Sequence, residues 1–340
     1  MTYGRNATAY QILNPGIQHW FSPDGHAVVG YVKRGGFILV AGEPICERAR
    51  LAEVTRKFEH HAAQGHFQVC YVLASEPLRR IADDSAEHST IVLGAQPVWK
   101  PADWNEIVRA RKSLRAQLHR SMNKGVAIKQ MSPQGAWHDV GIQRTLREWL
   151  HGRHLPPMHF LVEPAVLAGI VTDRLLFVAT QQDRVVAFLV ASPAAARNGY
   201  LIEELARSPH APNGTSELLI DGAMHRFAEM GCEYVTMGLV ALASGTTAAN
   251  PLWIRALMSI ARAHANRFYN FRGLEKFRMK MHPHYWEKLY AISNEPHFSP
   301  QALYAMGGAF SGISPVHAIL LAILKGAGDE LRTLGRVLSR

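Results

Sequence analysis

Cysteine is scarce. Cys46, Cys70 and Cys232 are the three in 340 residues, and no two are closely spaced. That excludes a disulfide framework and a zinc knuckle, and it makes a reducing cytoplasm the simplest compartment. Long apolar runs are missing too. The stretch 302–324 is interrupted by Gly307, Gly308, Ser311, Gly312, Ser314, Pro315 and His317. Only 318–324 is unbroken, far short of the roughly 20 residues of a membrane span. Residues 1–20 lack the basic start and apolar stretch of a secretory signal. Neither G-x-S-x-G nor G-x-x-x-x-G-K-[ST] occurs, so a serine hydrolase of that kind and a P-loop nucleotidase lose support. The 18 histidines include His60/His61, His151/His154/His159 and His282/His284, but none sits in a metal-binding frame. No metal site is expected.

Acid is short as well. Lys plus Arg number 37 against 27 Asp plus Glu, a formal charge of +10, which points to an anionic partner such as nucleic acid, an acidic membrane surface or a phosphorylated molecule. With 48% apolar and 19% charged residues the chain is globular.

Apolar periodicity alternates strands and helices. The segments 27–32 and 37–41 flank Lys33-Arg34-Gly35-Gly36 as a hairpin. A helix over 46–63, strands over 67–74 and 90–93, and a helix over 102–123 stopped by Gly125 follow. The second half repeats the plan. Helical stretches at 141–150 and 164–170 lead into a hairpin of 175–180 with 184–192. A strand at 200–205, a helix at 215–230, a strand at 234–239, a helix at 252–265 and a closing strand at 286–292 come next. This reads as a duplicated α/β unit. The expected division is 1–134, 135–298 and a helical tail 299–340, with Ser132-Pro133-Gln134-Gly135 breaking the pattern at the first boundary.

Three segments can carry chemistry. In 200–215 a strand gives way to Pro209, Pro212, Asn213 and Gly214 before a helix beginning at Thr215. A helix start presents free N–H groups to an anion, Gly214 would allow close approach, and the Arg207 fork could hold a phosphate or carboxylate. Glu204 could accept a proton; Glu217 and Asp221 lie on the following helix. The same residues also make an ordinary turn and cap. In 267–280, Arg267, Arg272, Lys276, Arg278 and Lys280 interleave with Phe268, Tyr269, Phe271 and Phe277, as in a surface that holds phosphates and stacks on bases, or equally in an amphipathic connector. The third segment is the 102–123 helix. No acid occurs between Ile107 and His138. At about 100° per residue, Ile107, Leu114, Leu118 and Met122 share one arc while Arg109, Lys112, Arg120 and Lys124 share the opposite one. A single-signed face favours contact with a polyanion.

Several strings together resemble a known family. Ala211-Pro-Asn-Gly-Thr215 with Glu217, Met237-Gly-Leu239, Phe268-Tyr-Asn-Phe-Arg-Gly-Leu274, Lys276-Phe277, Lys280 and the run from Pro283 through Trp286 to Tyr290 occur in that order. Gly42-Glu43-Pro44, Leu114-Arg115, Asn123-Lys-Gly125, Pro156-Pro-Met-His-Phe160 and Val186-Ala-Phe188 support them upstream. Over about 15–295 the chain resembles the C-terminal catalytic domain (DUF2156) of phosphatidylglycerol lysyltransferases, the aminoacyl-phosphatidylglycerol synthases. The resemblance implies two tandem acetyltransferase-like (GNAT) folds of α/β class. It also implies transfer of an aminoacyl group from charged tRNA to a hydroxyl of phosphatidylglycerol. The tRNA ester carries the energy, so no cofactor or metal is implied beyond aminoacyl-tRNA and an anionic phospholipid.

In the family an Asp-x-x-Arg pair precedes the Pro-Asn-Gly turn; Glu204 and Arg207 match it, with glutamate for aspartate and a shorter turn. The resemblance implies Glu204, Arg207 and Tyr269 as catalytic. Asn213, Gly214, Thr215, Glu217, Asn270, Arg272, Lys276 and Lys280 would bind substrate, and Arg109, Lys112, Arg120 and Lys124 would hold tRNA. Family members carry a multi-helix membrane part ahead of this domain. None precedes it here, so a stand-alone member, peripheral at the inner face of the cytoplasmic membrane, is expected. Leu93-Gly-Ala-Gln-Pro-Val-Trp99 also replaces the family's Lys-Ile-Gly-Glu-Glu-Ala. The apolar 319–324 stretch before Lys325, Arg332, Arg336 and Arg340 would be an interfacial anchor, or else a helix packed on the second unit. Two other classes stay open. One is an acyltransferase using coenzyme A or an acyl carrier, with its cofactor at 207–215. The other is a non-catalytic basic protein that binds lipid or nucleic acid.

Overall fold

The computed structural model describes residues 3–152, 159–169, 172–241, 246–264 and 271–312. The expected α/β class holds. Twelve strands form one sheet: β1 (Gln18–Phe21), β2 (Val28–Arg34), β3 (Phe37–Ala41), β4 (Gln68–Ala74), β5 (Ser89–Trp99), β6 (Val126–Met131), β7 (Leu175–Gln181), β8 (Arg184–Ala194), β9 (Gly199–Arg207), β10 (Tyr234–Thr236), β11 (Val240–Ala241) and β12 (Tyr285–Ser293). The order is β1-β2-β3-β4-β12-β5-β10-β9-β8-β7-β6, with β11 beside β5.

The β2–β3 hairpin turns at Gly35 and Gly36, both at positive φ, as a two-residue turn of this twist requires. Two connections make parallel pairs. After β3, helix α1 (Leu51–Gln64) crosses over to β4; after β9, helix α6 (Thr215–Glu229) crosses over to β10. These crossovers are the duplicated core of the plan. In α1, Leu51, Val54, Thr55, Phe58 and Ala62 are buried, a spacing that turns one stripe to the sheet.

Each half of the sheet is covered on both faces. One face of the first half buries Val54, Phe58 and Leu78 of α1 and α2 (Glu76–Asp83). Its other face meets Ile254 of α7 (Leu252–His264) and Ala302, Ala305 and Met306 of α9 (Pro300–Ser311). The second half packs α3 (Trp104–Ala110), α4 (Lys112–Asn123) and α6 on one face. Helix α5 (Val140–His151) covers the opposite face.

Several sequence expectations change. The strand expected to close the second unit, now β12, lies in the first half between β4 and β5. Strand β6, from the segment before 134, pairs with β7 instead. The halves meet where Val235 and Thr236 of β10 pair with Trp99 and Val98 of β5. The single 102–123 helix is broken: Arg111 is extended, with φ −115° and ψ 95°. Arg115 turns back to donate to the freed carbonyls of Val108 and Arg109. Arg109 therefore belongs to a different helix from Lys112, Arg120 and Lys124. The start of the expected tail, α9, packs on the first half of the sheet and also meets Phe160 and Ile254 of the expected second unit. Residues 313–340, with the expected anchor, lie outside the described residues. No helix among the described residues is long and apolar enough to cross a membrane.

Candidate functional site

Both parallel pairs end in loops that a ligand could reach, because crevices outside the carboxyl ends of parallel strands are the usual binding places of open α/β sheets. The residues expected from sequence lie in the second half, around the end of β9, the start of α6 and helix α8. On β9, Glu204 stands opposite Val190, and Arg207 opposite Ala187, with regular register between them. Side chains alternate along a strand, so the three-residue spacing sends the two to opposite faces. Glu204, 5% exposed, shares the face of Ala206, Val190 and Phe188 beneath α5. Arg207 shares the α6 face with Leu205. The two do not form a side-by-side pair.

The start of α6 is plugged. Gly214 has φ +95°, and a Cβ there would lie 2.1 Å from the Gln117 carbonyl oxygen of α4. The glycine serves helix packing, not the approach of a ligand as the sequence suggested. Thr215 is fully buried. Its hydroxyl donates to the Pro212 carbonyl at 2.7 Å and its N–H reaches the same oxygen at 3.2 Å. Ser121 of α4 lies 3.3 Å from that hydroxyl. The Thr215 N–H and the space above Gly214 are thus already used by the protein itself. Asn213 is exposed at the turn.

Helix α8 (Phe271–Lys280) meets α6 and the loop after β10. Lys280 binds Glu217 of α6 at 2.9 Å, and Lys276 is exposed. Arg278, grouped by the sequence with the phosphate-holding cations of 267–280, instead donates to the carbonyls of Met237, Gly238 and Leu239 at 2.5, 3.0 and 2.7 Å. It clamps the loop after β10 to α8. Tyr269, Asn270 and the side chain of Arg272 lie outside the described residues. Lys112, Arg120 and Lys124 are exposed along α4, and Arg109 is exposed on α3.

The first-half crevice is open. Strand β4 ends at Ala74, paired with Tyr290, while β12 continues back to Tyr285 beside β5. Among the described residues, no strand pairs with 285–289 on the β4 side. There a cavity of about 850 Å³ is lined by the loop after β3, the start of α2, this strand edge and Arg197. Glu43 is buried at its base and accepts from the N–H and hydroxyl of Ser75 at 3.0 and 2.5 Å. Burial pushes its carboxyl above the ordinary range despite those bonds. Glu287 is held by both arms of Arg197 at 2.6 and 2.8 Å, and by Gln96 and Tyr234 at 2.9 and 3.1 Å. Burial works to raise the Glu287 carboxyl, but the Arg197 bonds and charge outweigh it and leave it below the usual value. On the opposite wall Glu76 binds Arg79 and Tyr290. The Arg79 bonds bring its carboxyl down to about 2.

The family profile described as "Phosphatidylglycerol lysyltransferase, C-terminal" matches residues 1–293, which span both halves. The chain belongs to that family. A curated relative is the lysylphosphatidylglycerol biosynthesis bifunctional protein LysX of Mycolicibacterium vanbaalenii, 23% identical over 298 residues. The match takes in 83% of this chain and 26% of LysX, so this member spans about a quarter of that relative's length. Among solved structures, a DUF2156 domain from Agrobacterium fabrum aligns with TM-score 0.74 at 20% identity, over 90% of this chain and 93% of its own. L-PGS from Bacillus licheniformis aligns with TM-score 0.72 at 20% identity, over 95% and 93%.

Within this family member, the expected residues divide into groups. Glu217 and Lys280 meet; no bond or ion pair among the described residues joins Arg207 to Lys276 or Lys280, and none of these lines the first-half cavity. Glu43, Arg197 and Glu287, which line the first-half cavity, were missed as site residues. A signal for Glu43 existed: a fully apolar run, Phe37–Ala41, delivers it straight after Gly42 at the end of a buried strand.

Proposed function

We propose that the chain transfers an aminoacyl group from aminoacyl-tRNA to a hydroxyl of phosphatidylglycerol or a related anionic lipid. The observation that carries the reading is the family match over residues 1–293, through both crossover units. The exposed cations of α4, packed against the start of α6, add a track for the tRNA phosphates beside the second-half crevice. No further cofactor is needed in this reading, since the tRNA ester is already activated.

In the reaction a lipid hydroxyl oxygen bonds to the ester carbonyl carbon. The bond from that carbon to the tRNA ribose oxygen breaks, and the hydroxyl proton ends on the released ribose oxygen. Glu204, the proton acceptor expected from sequence, faces α5 across the sheet from Arg207 and is given no part in this step. Arg207, at the strand end, is the candidate for holding the lipid phosphate or the developing oxyanion. Lys280 is oriented by Glu217. The acyl-coenzyme A alternative loses its expected phosphate seat at Gly214, where the Gln117 carbonyl fills the space.

The test incubates the purified chain with phosphatidylglycerol vesicles and each charged tRNA in turn, followed by mass spectrometry of the extracted lipid. An aminoacyl-phosphatidylglycerol with one or more tRNAs is expected. Its absence with all twenty would overturn the reading.

A further inference from the structure

Helix α7 is apolar on two sides and covered on one. Ile254 is fully buried, and Met258 packs beside it against the first half of the sheet. On the other side Leu252, Trp253 and Leu257 are 79%, 42% and 48% exposed, and Ala256 among them is exposed too. At about 100° per residue these four share an arc of about 140°, turned away from Ile254 and Met258. Other large apolar side chains exposed among the described residues, such as Phe21, Val140 and Met230, stand far apart in the sequence, as on any protein surface. A helix apolar all round belongs in apolar surroundings on every side. Nor is the start of α7 free to turn this face inward. Asn250, just before it, accepts from the Val92 N–H of β5 at 2.7 Å and donates to the Val92 carbonyl at 2.9 Å.

Charge decides what covers the face. No Asp or Glu occurs between Glu233 and Glu275, whereas Arg255, Arg262, Arg267 and Arg272 all fall inside that stretch. Arg255 is exposed on the same helix as the apolar arc. A second copy docked on this face would set cation against cation, in a chain that already carries +10. An anionic bilayer accepts both parts. Apolar side chains enter the acyl boundary, a tryptophan ring sits at headgroup level, and arginine meets the lipid phosphates.

We propose that α7 is an interfacial docking helix, which lays Leu252, Trp253, Ala256 and Leu257 into the surface of an anionic membrane with Arg255 on its headgroups. The contact holds the protein on the bilayer and is separate from the transfer reaction. It differs also from the 319–324 stretch that the sequence suggested as an anchor, because α7 belongs to the packed fold.

The experiment sediments the full chain with vesicles of phosphatidylcholine alone and of phosphatidylcholine mixed with phosphatidylglycerol. Leu252→Glu is compared with Val140→Glu, the same kind of change at a side chain 77% exposed at the start of α5. Both put an acid in the first turn of a helix, where it is favourable, and circular dichroism checks that each variant folds. The parent is expected to bind the mixed vesicles and to bind phosphatidylcholine alone more weakly. Leu252→Glu should weaken binding to the mixed vesicles about tenfold or more, roughly 1.4 kcal/mol per decade, while Val140→Glu stays within about twofold. No binding by the parent, equal binding to the two vesicle types, or equal effects of the two substitutions would overturn the proposal. So would a dimer, seen by light scattering, that Leu252→Glu dissociates, since a second copy would then cover the face. These measurements need no charged tRNA and no turnover, so they can fail while the transferase reading stands, or succeed while that reading falls.

Discussion

The two crossover units carry the same plan but differ at the ends of their parallel strands. In the first, β4 stops short, β12 runs on paired with β5 alone, and the space on its β4 side is a cavity. In the second, the start of α6 is closed by a helix: the Gln117 carbonyl occupies the space above Gly214, and Thr215 satisfies itself against Pro212 and Ser121. The same backbone topology thus yields an open crevice or a plugged one, and what decides is the element packed against it. Glycine illustrates this. Gly42, just after β3, faces the Thr8 and Asn6 side chains, whereas Gly214 faces backbone. A shared fold therefore does not assign the same chemistry to both copies.

The largest effect is expected where the halves are tied together. Arg174 is fully buried, bonds Glu203 at 2.7 Å and Ser192 at 3.1 Å, and reaches Asn14 near the N-terminus at 2.7 Å. Arg174→Met leaves the Glu203 charge buried without its cation and should cost about 3–5 kcal/mol in denaturant unfolding. An Arg174→Met/Glu203→Leu double variant should recover part of that loss. If the single variant costs under about 1 kcal/mol, the halves are held together elsewhere. Next, Arg207→Ala should lower kcat/KM for lipid aminoacylation by about a hundredfold or more, the size expected for losing a group that steadies the transition state. An unchanged rate would move the reaction out of the second-half crevice.

The glycine contrast gives the third prediction. Gly214→Ala combines a left-handed backbone with a backbone clash and should cost about 2–4 kcal/mol. Gly42→Ala meets the Thr8 side chain and should cost about 1–2 kcal/mol. Equal losses in urea unfolding would mean that α4 can move aside and the plug is soft.

Much of this architecture was legible and some was not, for identifiable reasons. Hairpins such as 28–41 and 175–194 are local, and their turn residues and alternating apolar patterns declare them. The position of β12 is not local, since nothing in Tyr285–Ser293 states that its partners are β4 and β5. Nor is the break at Arg111 announced by glycine or proline; it is supported by Arg115 closing over the freed carbonyls. Opposite faces for Glu204 and Arg207 were implicit in their odd spacing once both were placed on one strand. The first-half cavity was the least legible feature. It assembles Arg5, Glu43, Ser75, Arg197 and Glu287 from distant parts of the chain, and local patterns do not report such convergence.

The buried acid in the open crevice gives a smaller effect, visible against pH. Burial raises the folded-state pKa of Glu43 above its unfolded value. Its folded state then binds the proton more tightly, so stability is greatest below the ordinary carboxylate value, near 4.3. It declines as pH rises toward the raised one, by about 1.4 kcal/mol per pH unit within that window. In Glu43→Gln this decline should be absent, with stability close to the parent at low pH and higher above the window. Urea midpoints between pH 4 and 8 measure it. Parallel pH profiles for the two proteins would mean that the carboxyl ionises at its ordinary value and that solvent reaches the floor of the cavity.

The smallest effect concerns the α4 surface, where each charge acts through solvent. Lys112, Arg120 and Lys124 share one helix, while Arg109 lies beyond the break at Arg111. If α4 is the tRNA track, Arg120→Glu and Lys124→Glu should each weaken tRNA binding several-fold. Each should also flatten the slope of log K against log salt by about 0.7–0.9, the signature of one lost phosphate contact. Arg109→Glu, displaced onto α3, should change the slope less. A slope unaltered by all three reversals would remove tRNA from this helix. Equal slopes for Arg109 and Arg120 would instead show that the polyanion spans the break, and that the two short helices act as the single cationic face their sequence suggests.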